Sequence, residues 1–144
     1  MLIGEYKHTI DPKKRVALPA KFRKELGRKV VITHGLDNCL FVYPMASWKR
    51  VAEGLAKMGV GASDMRSFNR FILAGAVEAE VDSMGRILIP DFQKTFAGLG
   101  TKVVLTGVHD RVEIWDENRW EIYKAKVQSQ ADVLAEKLGE LGAL

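Results

Sequence analysis

The apolar and polar positions of this chain fall into the same order of elements twice. Residues 4–10 mix Tyr6, Thr9 and Ile10 with polar side chains and stop at Asp11-Pro12, which predicts a strand entering a turn that residues 15–18 leave as a second strand. Residues 76–81 alternate apolar and acidic positions, residues 82–85 make the corresponding turn, and residues 86–89 return, so each turn is expected to close a tight hairpin. Pro19 and Pro90 then suit the first turn of a helix, where a missing N–H does no harm, giving short helices over 20–26 and 91–97 that stop at Gly27 and Gly98. A second hairpin follows in each run, 30–33 with 40–43 and 102–106 with 111–115, joined by loops that contain Gly, Asp or Asn. Between the runs a helix over 47–58, a break at 59–62 and a helix from a Ser63-Asp64 cap to Ala74 read as a helical connector. From Glu117, capped by Asp116, the tail predicts one long helix whose apolar stripe is Trp120, Tyr123, Val127, Leu134, Leu138 and Leu141. Packing of that stripe on the chain's own second run and burial in a subunit interface both satisfy it.

The recurrence extends to residue identity. Asp11 to Pro19 and Asp82 to Pro90 share Asp, Arg, an apolar triplet and Pro at the same spacings, 71 residues apart. Later elements answer one another at offsets of 72 or 73, Trp48 with Trp120 among them. Two copies of a unit of roughly 45 residues fill most of the chain, and neither is long enough to bury a large core alone. The copies are expected to pack together.

With 144 residues, 47% apolar and 28% charged, the chain is in the range of one globular domain. No apolar run approaches the ~18 residues of a membrane span, which points to a cytoplasmic protein. One cysteine, Cys39, and three scattered histidines provide no metal-ligand spacing, and no cofactor is indicated. The net charge is only +4, yet residues 1–50 carry +7 and the remainder −3. Nine cations (Lys7, Lys13, Lys14, Arg15, Lys21, Arg23, Lys24, Arg28 and Lys29) lie within residues 7–29, opposed only by Asp11 and Glu25. Such a stripe suits a polyanion, although a solvated basic face has the same composition. An enzyme built on His34, Asp37 and Cys39 would have to work from a short loop with no evident substrate cleft. RNA binding would require an aromatic stacking platform, which Tyr6, Phe22, Phe41 and Tyr43 do not form.

Asp and Arg four residues apart across a turn allow the carboxylate to accept turn N–H groups and face the guanidinium. That pair can be purely structural, while the guanidinium retains donors for a phosphate or for guanine O6 and N7. Two copies of Asp-x-x-x-Arg-apolar-x-apolar-Pro, each followed by a helix and a hairpin ending in an aromatic, resemble the MraZ family, within the larger group of SpoVT-AbrB-like swapped-hairpin DNA-binding domains. The resemblance implies an α+β fold in which duplicated swapped-hairpin units close a small β-barrel, with flanking helices and a long C-terminal helix. It divides the chain into a first DNA-binding unit at 5–47, a helical connector at 48–75, a second unit at 76–119 and a C-terminal helix at 120–144. It implies a bacterial transcriptional regulator, expected to repress, with no enzymatic activity and no small-molecule substrate. Such a protein would be nucleoid-associated, form a ring-shaped homo-oligomer, and bind repeated double-stranded DNA boxes upstream of its own division and cell-wall operon. An antitoxin-like protein-interaction module is the alternative. The candidate DNA-binding residues are Lys7, Asp11, Lys13, Lys14, Arg15, Lys21, Arg23, Lys24 and Arg86. The basic first copy is expected to supply most contacts and the second mainly to complete the fold. Lys14, standing where the second turn has Gly85, is the one departure that puts the geometry of the first turn in question.

Overall fold

The computed structural model describes residues 1–143. Strands β1 (Leu2–Thr9), β2 (Arg15–Ala17), β3 (Lys29–His34) and β4 (Leu40–Pro44) come from the first copy. Their equivalents β5 (Val77–Glu80), β6 (Arg86–Leu88), β7 (Lys102–His109) and β8 (Val112–Asp116) come from the second. The helices are α1 (Ala20–Leu26), α2 (Met45–Lys57), α3 (Ser63–Asn69), α4 (Asp91–Phe96), α5 (Glu117–Ser129) and α6 (Ala131–Glu140), and α3 runs on into a π-helical turn over Arg70–Ala74.

The strands do not pair as simple hairpins. β1 and β2 leave the same turn but part company: β1 ladders with β7 and β2 with β6, leaving a single bridge between Ile10 and Val16. In the second copy β5 ladders with β3. Only β3–β4 and β7–β8 pair within their own copies. The result is a six-stranded antiparallel sheet, β1-β7-β8-β4-β3-β5, and a separate two-stranded ribbon, β2-β6. Exchanging the two copies reverses the sheet order and leaves it unchanged, so the topology has an internal two-fold. The ladder ends at β1 and β5, and its pairing is an open sheet where a closed barrel was expected. Alternation within a strand decides which side faces the core but not which strand lies next to it, and here the neighbour is usually in the other copy.

Alternation also divides the sheet into two faces. Val30, Ile32, Leu40, Val42, Val103, Leu105, Val112 and Ile114 join Val16, Ile87, Phe22 and Leu26 in the main core beneath the ribbon and α1. Cys39, Phe41, Tyr43 and Trp115 point the other way, against Trp48 and Val51 of α2 and Trp120 and Tyr123 of α5. The connector is held by polar contacts. The Thr33 hydroxyl donates to the Ile72 carbonyl at 2.6 Å, and the buried Gln93 amide of α4 donates to the carbonyls of Ile32 and Gly75, both at 2.8 Å.

Two boundaries differ from expectation. Ser63 is the first residue of α3, not its cap, because Ala62 holds the extended cap position. The tail is two helices divided at Gln130, although the expected Asp116 cap is present and accepts from the Arg119 N–H at 3.3 Å. The stripe is accordingly covered only in its first half. Trp120 and Tyr123 pack on Trp115 at centroid distances of 5.3 and 4.8 Å, whereas Leu134, Leu138 and Leu141 are exposed. Leu144, the last residue of the expected tail, lies outside the described residues.

Ile87, 1% exposed, is one of the two side chains by which the ribbon is anchored in the core. Ile87→Ala is expected to cost about 2–5 kcal/mol, read as a lower denaturation midpoint with the slope unchanged.

A candidate nucleic-acid interface

The ribbon is three residues wide in each strand, and its register fixes what it shows. Arg15 lies opposite Leu88, Val16 opposite Ile87, and Ala17 opposite Arg86. Val16 and Ile87 point into the core, so Arg15, Ala17, Arg86 and Leu88 share the outward face. Both repeated arginines thus stand on one surface, diagonal to each other, one from each copy.

Each arginine is held by the same network. Asp11 Oδ1 accepts the N–H groups of Lys13 and Arg15, both at 2.9 Å, and Asp11 Oδ2 accepts Arg15 Nε at 2.8 Å. Asp82 Oδ1 accepts the N–H groups of Met84 and Arg86 at the same 2.9 Å, and its Oδ2 accepts Arg86 Nε at 2.8 Å. The clamp uses Nε and leaves the terminal guanidinium nitrogens without a hydrogen-bond partner among the described residues, on side chains that are 29% exposed in Arg15 and 24% in Arg86.

The turns also hold each other. The N–H of Leu18 donates to the Gly85 carbonyl at 2.8 Å, and the N–H of Ile89 donates to the Lys14 carbonyl at 2.9 Å. Gly85 and Lys14 both adopt left-handed backbone, φ 77° and 65°, so the lysine keeps the turn geometry at some local cost. Position 85 also packs against α1. Arg23 donates from Nε to the Leu18 carbonyl at 2.9 Å, and a Cβ on Gly85 would meet its guanidinium and displace it.

The other sequence candidates separate. Lys13 is exposed at the first turn, and Lys21 and Lys24 are exposed on α1. Lys14 is engaged by Asp91 at 2.5 Å, and Lys29 by Glu78 at 2.8 Å, both across the copies. Arg23 lines a cleft with Arg28, Val81, Asp82 and Gly85, and so joins the second turn from the first copy. Lys7 sits on β1 beside a different cleft with His8, Thr9, Lys102 and Glu117. Sequence reasoning missed Leu88, which stands exposed between the two arginines. Its signal was the apolar triplet Ile87-Leu88-Ile89, whose middle member must face opposite to its neighbours in a strand.

The electrostatics fit a structural clamp. The backbone N–H of Arg15, followed by its guanidinium, holds the Asp11 carboxyl below its ordinary value, and Arg86 does the same for Asp82. Burial and the nearby Arg23 charge lower the pKa of His8. The imagined catalytic group is disassembled: His34 stacks on Phe71 and Phe96, and its Nδ1 lies 3.1 Å from the Phe71 carbonyl oxygen. Burial pushes the Cys39 thiol up, away from the thiolate a nucleophile needs, and its Sγ donates to the Leu36 carbonyl at 3.2 Å. Among the described residues there is no cluster of His, Cys, Asp and Glu able to hold a metal, and no helix long and apolar enough to cross a membrane.

Fold and site together define a duplicated, strand-exchanged α+β protein that presents two clamped arginines on a short ribbon. A family model described as "MraZ protein, putative antitoxin-like" matches residues 1–71 and again 72–139. The chain is 50% identical over 138 residues to a protein of Moorella thermoacetica and 51% identical over 138 residues to one of Caldanaerobacter subterraneus, with 96% of each chain covered. It is 49% identical over 142 residues, 99% of each chain, to a protein of Caldicellulosiruptor saccharolyticus. All three relatives are named transcriptional regulator MraZ. The chain belongs to the MraZ family of transcriptional regulators.

A carboxyl whose pKa is lowered on folding contributes stability above its unfolded value, and that contribution disappears as pH falls through the lowered value. Melting temperatures of wild type and the Asp11→Asn, Asp82→Asn double variant should therefore differ most at neutral pH. The gap is expected to narrow as pH falls below about 3.9. A gap independent of pH would remove the two clamps from the acid response.

Proposed function

We propose that this chain is a sequence-specific regulator that binds double-stranded DNA through the β2-β6 ribbon. The observation carrying the proposal is the presence of Arg15 and Arg86 on one outward face, each oriented by its own carboxylate with its terminal nitrogens left over. A two-stranded ribbon is of a size that the major groove admits, and a guanidinium matches guanine O6 and N7 in bidentate fashion. Lys13 at the first turn, Lys21 and Lys24 exposed on α1, and Arg23 and Arg28 beside the second turn serve as phosphate contacts. Lys14, held by Asp91, and the more distant Lys7 contribute less. Since the two clamps match bond for bond, the division of labour expected from charge falls on the phosphate contacts and not on the arginines.

The swapped-hairpin description fits the exchange of β1, β2 and β5 between copies. The exposed Leu134, Leu138 and Leu141 suit assembly into a homo-oligomeric ring, in which several ribbons would engage successive boxes upstream of the protein's own division and cell-wall operon. Linking binding events in this way raises avidity by ~10²–10⁴ without new contacts. Repression by a cytoplasmic, nucleoid-associated protein follows if those boxes overlap the promoter.

Fluorescence anisotropy with the duplex upstream of the protein's own gene, beside a scrambled duplex at two salt concentrations, tests this reading. Arg15→Ala and Arg86→Ala are each expected to lose about 1–3 kcal/mol of discrimination between the duplexes. Lys21→Ala or Lys24→Ala should weaken both duplexes alike and reduce the salt slope by about one per lost contact. Equal, salt-sensitive binding of wild type to both duplexes would leave only a basic surface and redirect the search to protein partners, the antitoxin-like alternative.

A further inference from the structure

The internal two-fold equates Lys13 with Met84, Ala17 with Leu88 and Lys21 with Phe92. The backbone and the clamps obey that symmetry, but the outward side chains break it in one direction. At these positions the first copy carries cationic or small residues and the second carries exposed apolar ones, with Met84, Leu88 and Phe92 at 63%, 55% and 49% exposure. Leu88 is the central case. Its neighbours Ile87 and Ile89 are 1% and 0% exposed, and it stands directly across the ladder from Arg15, with Arg86 two residues before it on the same face.

We propose that Leu88 contacts the C5-methyl group of a thymine beside the guanine taken by Arg15, and thereby fixes the direction in which the ribbon lies on its box. This rests on the reading of the ribbon as a DNA-reading surface. Directly opposed residues in an antiparallel pair have Cβ atoms ~5 Å apart, and successive base pairs are ~3.4 Å apart, so the two side chains reach neighbouring pairs. A leucine has nothing to offer a phosphate or a base-edge donor. The thymine methyl is the one apolar group that the major groove displays. Ala17, at the equivalent position beside Arg86, is shorter by three carbons and does not reach as far. The two arginines alone would read a two-fold symmetric site, and Leu88 opposite Ala17 makes one half of that site different from the other.

The test substitutes deoxyuridine for each thymine of the selected duplex in turn, which removes only the methyl, and compares wild type with Leu88→Ala by anisotropy. Leu88 is exposed and the variant copies Ala17, so folding and oligomer size, checked by circular dichroism and gel filtration, should be unchanged. Wild type is expected to lose about fourfold in affinity at one thymine position per box. Leu88→Ala should lose the same factor on the thymine duplex and nothing further on deoxyuridine at that position. If wild type and variant respond alike to every deoxyuridine, the proposal is overturned. It is also overturned if Leu88→Ala changes oligomer size while keeping the methyl response, since Leu88 is then a subunit contact. Wild type that ignores box sequence altogether overturns the parent reading, and this one with it, before any deoxyuridine is introduced.

Discussion

Strand exchange between the copies is the constraint from which the other features follow. Four of the six ladders, β1–β7, β2–β6, β3–β5 and β4–β8, join one copy to the other. A single copy would retain one hairpin and leave two strands with unpaired edges, and its share of the core would be open on one side. The ribbon depends on exchange most directly. Strands of three residues are too short to persist alone, and β2 and β6 are held because their inward residues enter the shared core and each turn accepts an N–H from the other copy.

Much of this was legible in the sequence because the repeat carries its own chemistry. Asp and Arg at a spacing of four predict the clamp, the prolines predict where α1 and α4 begin, and Gly85 predicts a left-handed turn position. Pairing was not legible from the residues themselves. The alternation of β1 describes a strand with one wet face equally well beside β2 or beside β7. For the same reason the shared face of Arg15 and Arg86 was invisible from the spacing of their motifs.

The tail illustrates a different limit. Its apolar residues keep helical spacing through Gln130, and neither Gly nor Pro marks the division between α5 and α6. What differs between the two helices is tertiary: Trp120 and Tyr123 pack on Trp115, and Trp120 and Lys124 both donate to Glu5 of β1, while among the described residues Leu134, Leu138 and Leu141 stay exposed. Periodicity reports that a stripe is apolar and is silent about where its cover stops.

In the proposed DNA-binding reading, the clamps bear on how affinity and discrimination are divided. A free arginine loses rotamer freedom when it settles on a base, whereas Arg15 and Arg86 are already oriented by the fold, so less is lost on binding. The orienting carboxylates have an opposing effect. Asp11 and Asp82 would be repelled by phosphate, and each cancels the charge of the arginine it holds, so a clamped pair brings specificity with almost no net attraction. The attraction must come from cations without such partners, and among the described residues of the first copy these include Lys7, Lys13, Lys21, Arg23, Lys24 and Arg28. In the proposed reading, the discriminating groups obey the internal two-fold and the attracting groups do not, which is how a duplicated fold can carry +7 in its first 50 residues and a net negative charge in the rest.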